Sequence, residues 1–271
     1  MKKLLIVLTL LTPPPATMDV SDANDIMRKS VAANHRDLAA SVEFDHSERH
    51  QTPDGSKTYA VTMMVGSPYQ CLVAINDQPL ADDERRREEQ KKDAARAARE
   101  REDPDERARR LSKYERERKR NRVLLDEVTQ AFQFAREADQ TVNGVGAYVV
   151  KATPRPDYRP PSLEAEVLTG VESRFWIEQN TFHWVKVEAT VVRPVAIAAF
   201  LARVEPGTQF ALEQSEVAPG MWAPKRFLMR TRARILFMFK QRTQLDATYY
   251  GYQRVTGAAG GTEERRQQGL R

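Results

Sequence analysis

Phe227-Leu228-Met229-Arg230-Thr231-Arg232-Ala233-Arg234-Ile235-Leu236-Phe237-Met238-Phe239-Lys240 is the stretch whose reading decides the fold. Phe227, Met229, Thr231, Ala233, Ile235, Phe237 and Phe239 fall on one side of an extended chain. Arg226, Arg230, Arg232, Arg234 and Lys240 fall on the other. Successive side chains of a strand point to opposite faces. A period of two sustained this long predicts a strand over 222–242, with one apolar face and one basic face.

Working outward, the same period recurs on both sides. Residues 42–51 and 57–65 read as strands around the turn Pro53-Asp54-Gly55, and 69–76 follows Gly66-Ser67-Pro68. Tyr59, Val61, Met63 and Val65 share a face of the second, and Tyr69, Cys71, Val73 and Ile75 alternate in the same way. Further strands are expected over 147–152, 166–179, 181–193, 200–203 with 209–214, and 245–255. A tight hairpin near Asn180 joins the second and third of these. Residues 22–40 read as a helix with Ile26, Val31 and Leu38 on its apolar side. The pattern is a meander of about nine or ten antiparallel strands, and no alternation of strand and helix supports a doubly wound sheet.

Residues 81–122 break this pattern. They are mostly charged, with both signs interleaved, and are rich in the helix formers Arg, Glu, Lys and Ala. Asp103-Pro104-Asp105 divides them into two solvated helices, since proline suits a helix's first turn. The second helix then gains an apolar stripe of Leu125, Val128, Phe132 and Ala135, predicting that its tail docks on the sheet. Arg116 to Arg122 is cationic enough to meet phosphates, but interleaved carboxylates argue against a nucleic-acid arm.

The chain of 271 residues carries a net charge of +5 and a single cysteine, Cys71. No intrachain disulfide and no cysteine-based metal site can form. Met1-Lys2-Lys3, the apolar run Leu4 to Leu11 and Pro13-Pro14-Pro15 read as a secretory signal peptide over 1–20, too short to anchor in a bilayer. A periplasmic protein is therefore expected, with a single domain over 21–256 and a disordered tail over 257–271. Phosphate-binding loops, dinucleotide turns, nucleophile elbows and metalloprotease helices do not occur, so no enzyme, no cofactor and no metal are expected. His46 and His50 share a strand face but stand roughly 13 Å apart by the strand rise, too far to grip one ion. Cys71 reads as a buried structural thiol.

Aromatic residues crowd the expected strands, among them Trp176, Trp184, Trp222, Phe175, Phe182, Phe200 and Phe210. One greasy sheet face covered by so little helix predicts a hollow suited to acyl chains. Its expected lining is Val61, Met63, Val185, Val187, Val191, Phe227, Met229, Ile235, Phe237 and Phe239. Val128 and Phe132 are expected to plug or gate it from the helix, and rim arginines to meet headgroups.

Several short motifs in the C-terminal half carry a resemblance. They are Phe175-Trp176-Ile177-Glu178 with its hairpin into Val185-Lys186-Val187, Pro206-Gly207-Thr208-Gln209-Phe210, Gly220-Met221-Trp222-Ala223-Pro224-Lys225-Arg226, and Tyr249-Tyr250-Gly251-Tyr252. Over about 165–256, and loosely over 30–80, the chain resembles the periplasmic lipoprotein-carrier and outer-membrane lipoprotein-sorting family, the LolA-like proteins. The resemblance implies a mainly β fold with helices (α+β), in which a curved antiparallel sheet forms an incomplete β-barrel around helices. It also implies a cavity for lipid or the acyl chains of an acylated protein. The charged insertion has no counterpart in that pattern. It suggests a second role, as an envelope protein–protein interaction module with transient contact at the membrane surface. Nucleic acid is not an expected partner.

Overall fold

A computed structural model of the chain describes residues 20–197, 202–235 and 239–255. The expected signal peptide and tail, Phe200 and Phe237 lie outside them. The chain opens with helix α1 (Val20–Ala40), then strands β1 (Phe44–Thr52), β2 (Gly55–Met64), β3 (Ser67–Ile75) and the short β4 (Gln78–Pro79). Helices α2 (Asp82–Arg101) and α3 (Pro104–Ala131) follow. The chain then returns to β5 (Phe132–Val142), β6 (Val145–Pro154), β7 (Val171–Glu178) and β8 (Trp184–Val191). It closes with β9 (Val195–Ile197), β10 (Ala202–Val204), β11 (Gln209–Ala218), β12 (Met221–Ile235) and β13 (Phe239–Arg254).

The strands make one antiparallel sheet in the order β4-β3-β2-β1-β13-β12-β11-β8-β7-β6-β5, with β10 paired to β12 and β9 beyond it. The two ends of this path are not paired with each other, so the sheet does not close into a barrel. Return of the last strand to the first, β13 on β1, joins the N-terminal hairpins to the C-terminal meander.

The long alternating run is two strands rather than one. Ile235 stands opposite Phe239 and Arg226 opposite Thr248, so the chain reverses between β12 and β13. No Gly, Pro, Asn or Asp marks that reversal, and an even pattern continues through it. The helix tail is also corrected. α3 ends at Ala131, and Phe132 already has extended backbone angles (φ −118°, ψ 151°). Phe132-Gln133-Phe134 reads equally as helix stripe or strand alternation, and pairing with β6 decides it. Residues 166–170 form a 3-10 turn, so the strand expected from 166 starts at Val171.

α1 packs on α3, β5 and the start of β12. The largest core joins Ile26 and Met27 of α1 with Leu125 and Val128 of α3 and with Phe132, Phe134, Val150, Phe175 and Ile177 of the sheet. α3 begins as its sequence requires: the Asp103 carboxylate accepts from the amides of Asp105 and Glu106, with Pro104 in the first turn. The α2–α3 hairpin is not merely solvated. Arg99 donates to the carbonyls of Met64, Ser67 and Pro68 at the β2–β3 turn. Arg110 donates to Val65 O and Ser67 Oγ while gripping Glu102 at 2.6 Å through two nitrogens. Five carbonyl or hydroxyl oxygens of a single turn are thus satisfied from the insertion, which fixes it to the sheet.

Candidate ligand-binding face

In-register neighbours of a sheet share a face. Val187 packs against the core that α1 forms, so its cross-strand partners lie on the helix side. The first such row runs Val187–Leu212–Phe227–Ala247–His50, and the next Ala189–Phe210–Met229–Leu245. Phe210, Leu212, Phe227, Met229 and Leu245 are only half-buried. These rows form an apolar strip on the inner side of β11, β12 and β13, away from the part of the sheet that α1 and α3 cover. The opposite face carries Arg226, which pairs with Asp246 at 2.6 Å and holds that carboxyl below its usual range.

The strip continues onto β1 and β2 with a polar group at its centre. Glu48 accepts from or shares a proton with the Nε2 atoms of His46 at 3.0 Å and His50 at 3.1 Å. His46 stacks on Tyr252 at 5.0 Å, and His50 lies 5.6 Å from Tyr59. Burial pushes the Glu48 carboxyl upward, but the two imidazoles outweigh it and hold it below its ordinary value. Burial also drives the Tyr249 hydroxyl up to about 12. His50, Lys57, Tyr59 and Leu245 help line a hollow of about 320 Å³ at the β1–β2 turn. His46 and His50 thus meet through one carboxylate. Among the described residues no group of three or more His, Cys, Asp or Glu side chains is placed to hold a metal ion.

The residues expected to line one cavity are not all brought together. Phe227, Met229 and Val187 lie on the strip, and Val61 stands opposite His46. Met63 is two residues further along that strand and half-buried. Ile235 and Phe239 extend the same register as a pair. Val128 and Phe132 are sealed in the packed core instead, with Phe132 1% exposed, so they do not gate an opening. Val185 also separates from Val187. A bulge between Trp176 and Ile177 shifts the β7–β8 register and sends Val185 into a second cluster with Val149, Trp176 and Trp222. Val191 lies in a third, with Val171, Val195 and Val204, but Ala189 and Phe210 pack against that cluster, so Val191 borders the strip. On β3, Tyr69 and Cys71 pair with Thr62 and Ala60, so they lie opposite to the Val61–Met63 face and under α2. Cys71 is buried there. Phe210, Leu212 and Leu245 were missing from the expected lining because each becomes visible only through its register partner.

The motif residues prove to be structural ties. The Glu178 carboxylate accepts from the amides of Asn180 and Thr181 and from the Thr181 hydroxyl, which shapes the β7–β8 loop. That loop takes Phe182 to φ 62°, a conformation unusual for a bulky residue. His183 stacks on Trp222 at 5.5 Å and faces Asp37 of α1 at 3.3 Å, while the Trp222 amide donates to the same carboxylate. The Tyr252 hydroxyl donates to Pro224 O at 2.7 Å.

No protein-family model matches this chain, and no curated protein matches it. Among solved structures, the chain is similar to an outer membrane lipoprotein-sorting protein domain from Vibrio parahaemolyticus, at 10% identity and a TM-score of 0.35, covering 88% of this chain and 94% of that one. It is similar to a DUF1329 family protein from Desulfovibrio piger, at 8% identity and a TM-score of 0.37, covering 89% and 95%. It is also similar to a chain of the Pseudomonas aeruginosa MucA/MucB complex, at 10% identity and a TM-score of 0.28, covering 84% and 93%. No helix among the described residues is long and apolar enough to cross a membrane.

Proposed function

We propose that the protein is a non-enzymatic binding or carrier protein of the cell envelope, which shelters a lipid or the acyl chains of an acylated protein on the inner side of its open sheet. One observation carries this reading: the in-register strip of Phe210, Leu212, Phe227, Met229 and Leu245 is only half-buried on the side where the helices lie. A sheet face this apolar gains by covering, and a hydrocarbon chain supplies the cover at about 0.8 kcal/mol per buried CH₂. Export to the periplasm belongs to the same proposal and is supported by the apolar N-terminal run.

The test is binding of a polarity-sensitive fluorescent fatty acid to the full chain. Probe binding is expected, and Met229→Glu is expected to reduce it at least tenfold while leaving the fold intact by circular dichroism. Absence of binding, or equal binding by the folded variant, overturns the proposal. A second role, contact with an envelope protein through the α2–α3 hairpin, is supported by the absence of buried residues on α2, although Arg99 fixes that helix to the sheet.

A further inference from the structure

α3 carries four exposed cations that close no ion pair or hydrogen bond among the described residues, although Arg120 faces the charge of Glu164 across the groove. Lys113, Arg116 and Arg120 repeat at helical spacing with Val123, so they form one stripe, and Lys119 flanks it. Their neighbours behave differently: Arg118 turns inward to Leu38 O of α1 and to Glu115, and Arg122 also meets Glu115. These four cations line one wall of a groove of about 520 Å³, with Val123 among its lining residues. Ser162 and Glu164 of the proline-rich loop make the other wall.

That second wall is held in place. The Arg155 amide and guanidinium donate to Ala131 O and Phe132 O. The Tyr158 hydroxyl donates to Glu127 of α3 at 2.7 Å. Glu117 and Glu164 offset part of the charge, so four cations against two carboxylates leave the groove with a net charge of +2. A groove of this net charge suits an anion. Leu163 lies between the two loop residues that line it and is 49% exposed, one of the few large apolar side chains that stand so far out of the surface. A soluble phosphate compound has no use for that side chain, whereas a bilayer does, because it can enter the boundary between headgroups and acyl chains.

We propose that the groove between α3 and the 155–164 loop binds the phosphate of an anionic lipid headgroup, with Arg116 and Arg120 as its main ligands and Leu163 dipping into the lipid surface. This site is separate from the apolar strip and stands whether or not the strip holds an acyl chain. Guanidinium groups suit phosphate because their paired N–H groups match its oxygens.

Co-sedimentation of the full chain with vesicles of phosphatidylglycerol and phosphatidylcholine tests the proposal. Binding is expected to these vesicles and not to phosphatidylcholine alone. Arg116→Gln with Arg120→Gln is expected to weaken it by about 25-fold, from about fivefold for each lost cation. The control removes the same charge from α2, where Arg85 and Arg87 are already paired with Asp82 and Asp83. Arg85→Gln with Arg87→Gln is expected to bind like the parent, and Leu163→Ser to bind more weakly. Equal weakening by both pairs would show attraction to net charge alone and overturns the proposal. So does a failure of glycerol 3-phosphate to compete at any concentration, because recognition would then not be of the phosphate group. Preference for an acidic protein over the vesicles, lost in the same α3 variant, would assign the groove to a protein partner and overturn it too.

Discussion

The two halves of the sheet carry the same kind of residue and meet different fates. On β5, β6 and β7, the aromatic and aliphatic side chains Phe132, Phe134, Val150, Phe175 and Ile177 are closed over by α1 and α3. On β11, β12 and β13, the residues Phe210, Leu212, Phe227, Met229 and Leu245 continue the same face and stay only half-buried. Alternation in the sequence sets which side chains face inward, but it does not say which of them find a helix. Two helices cannot cover the width of a sheet in which strand neighbours lie about 4.8 Å apart. The half left uncovered is where a ligand has something to gain.

The largest expected effect comes from breaking the covered half. Phe132→Ala removes a ring that is 1% exposed and lies tilted to Phe134 at 6.3 Å between centroids. A loss of about 3–5 kcal/mol is expected in chemical denaturation, from transfer and cavity together. A loss under about 1 kcal/mol would mean that this half is as open as the other, and the contrast would be wrong.

Asp37 is the point where both halves are pinned to one helix. Its carboxylate receives the Trp222 amide of β12 and faces His183 at the end of the β7–β8 loop, with all three residues buried. Asp37→Ala leaves a buried amide without a partner and is expected to cost about 1–3 kcal/mol. Hydrogen exchange sharpens the point: protection is expected to fall at Trp222 more than at Phe175, whose surroundings do not depend on this carboxylate.

Much of this arrangement was legible in the residues, and the remainder was not for identifiable reasons. Pro53-Asp54-Gly55 and the Tyr59-Val61-Met63 alternation place the first hairpin, because turn chemistry and period both act locally. The break at Asp103-Pro104 places the start of α3 for the same reason. Phe132 reads as part of the helix because Ala131-Phe132-Gln133-Phe134-Ala135 fits either period, and only pairing with β6 separates them. Val185 groups with Val187 in the sequence because a bulge adds no mark to the sequence of the bulged strand. The Glu48 bridge went unseen for a related reason. Rise along a strand measures the gap between His46 and His50, but not what a side chain between them can reach. The groove on α3 needs a second wall from residues some forty positions later in the chain, so no local pattern could show it.

That bridge gives the open half a pH dependence of its own. The Glu48 carboxyl lies below its ordinary value of 4.5 in the folded protein. A depressed acid contributes stability above its unfolded value and loses that contribution as pH falls through its folded value. Glu48→Gln is expected to cost about 1 kcal/mol near neutral pH, where a charged acceptor is replaced by a neutral one. The difference in Tm between parent and variant should shrink as pH drops below 4.5. A difference that stays constant or widens in acid would show that the two histidines do not depend on the ionised carboxylate.

The smallest stability effect should come from the residue most exposed to the functional argument. Phe227 has the same side chain as Phe132 and sits on the same side of the sheet, but it is half-buried. Truncation to alanine removes only part of a transfer gain of about 1.5–3 kcal/mol, and it opens no closed cavity. Phe227→Ala is therefore expected to cost under about 1 kcal/mol in the absence of ligand, which chemical denaturation resolves. Anything bound to the strip stabilises the folded state by mass action. If a fatty acid covers Phe227, the parent should gain more Tm than the variant when the probe is added, and the gap between them should widen with ligand concentration. A cost near that of Phe132→Ala without ligand would show that Phe227 is already covered from within the chain. The uncovered half would then be a second packed core with no place for a hydrocarbon.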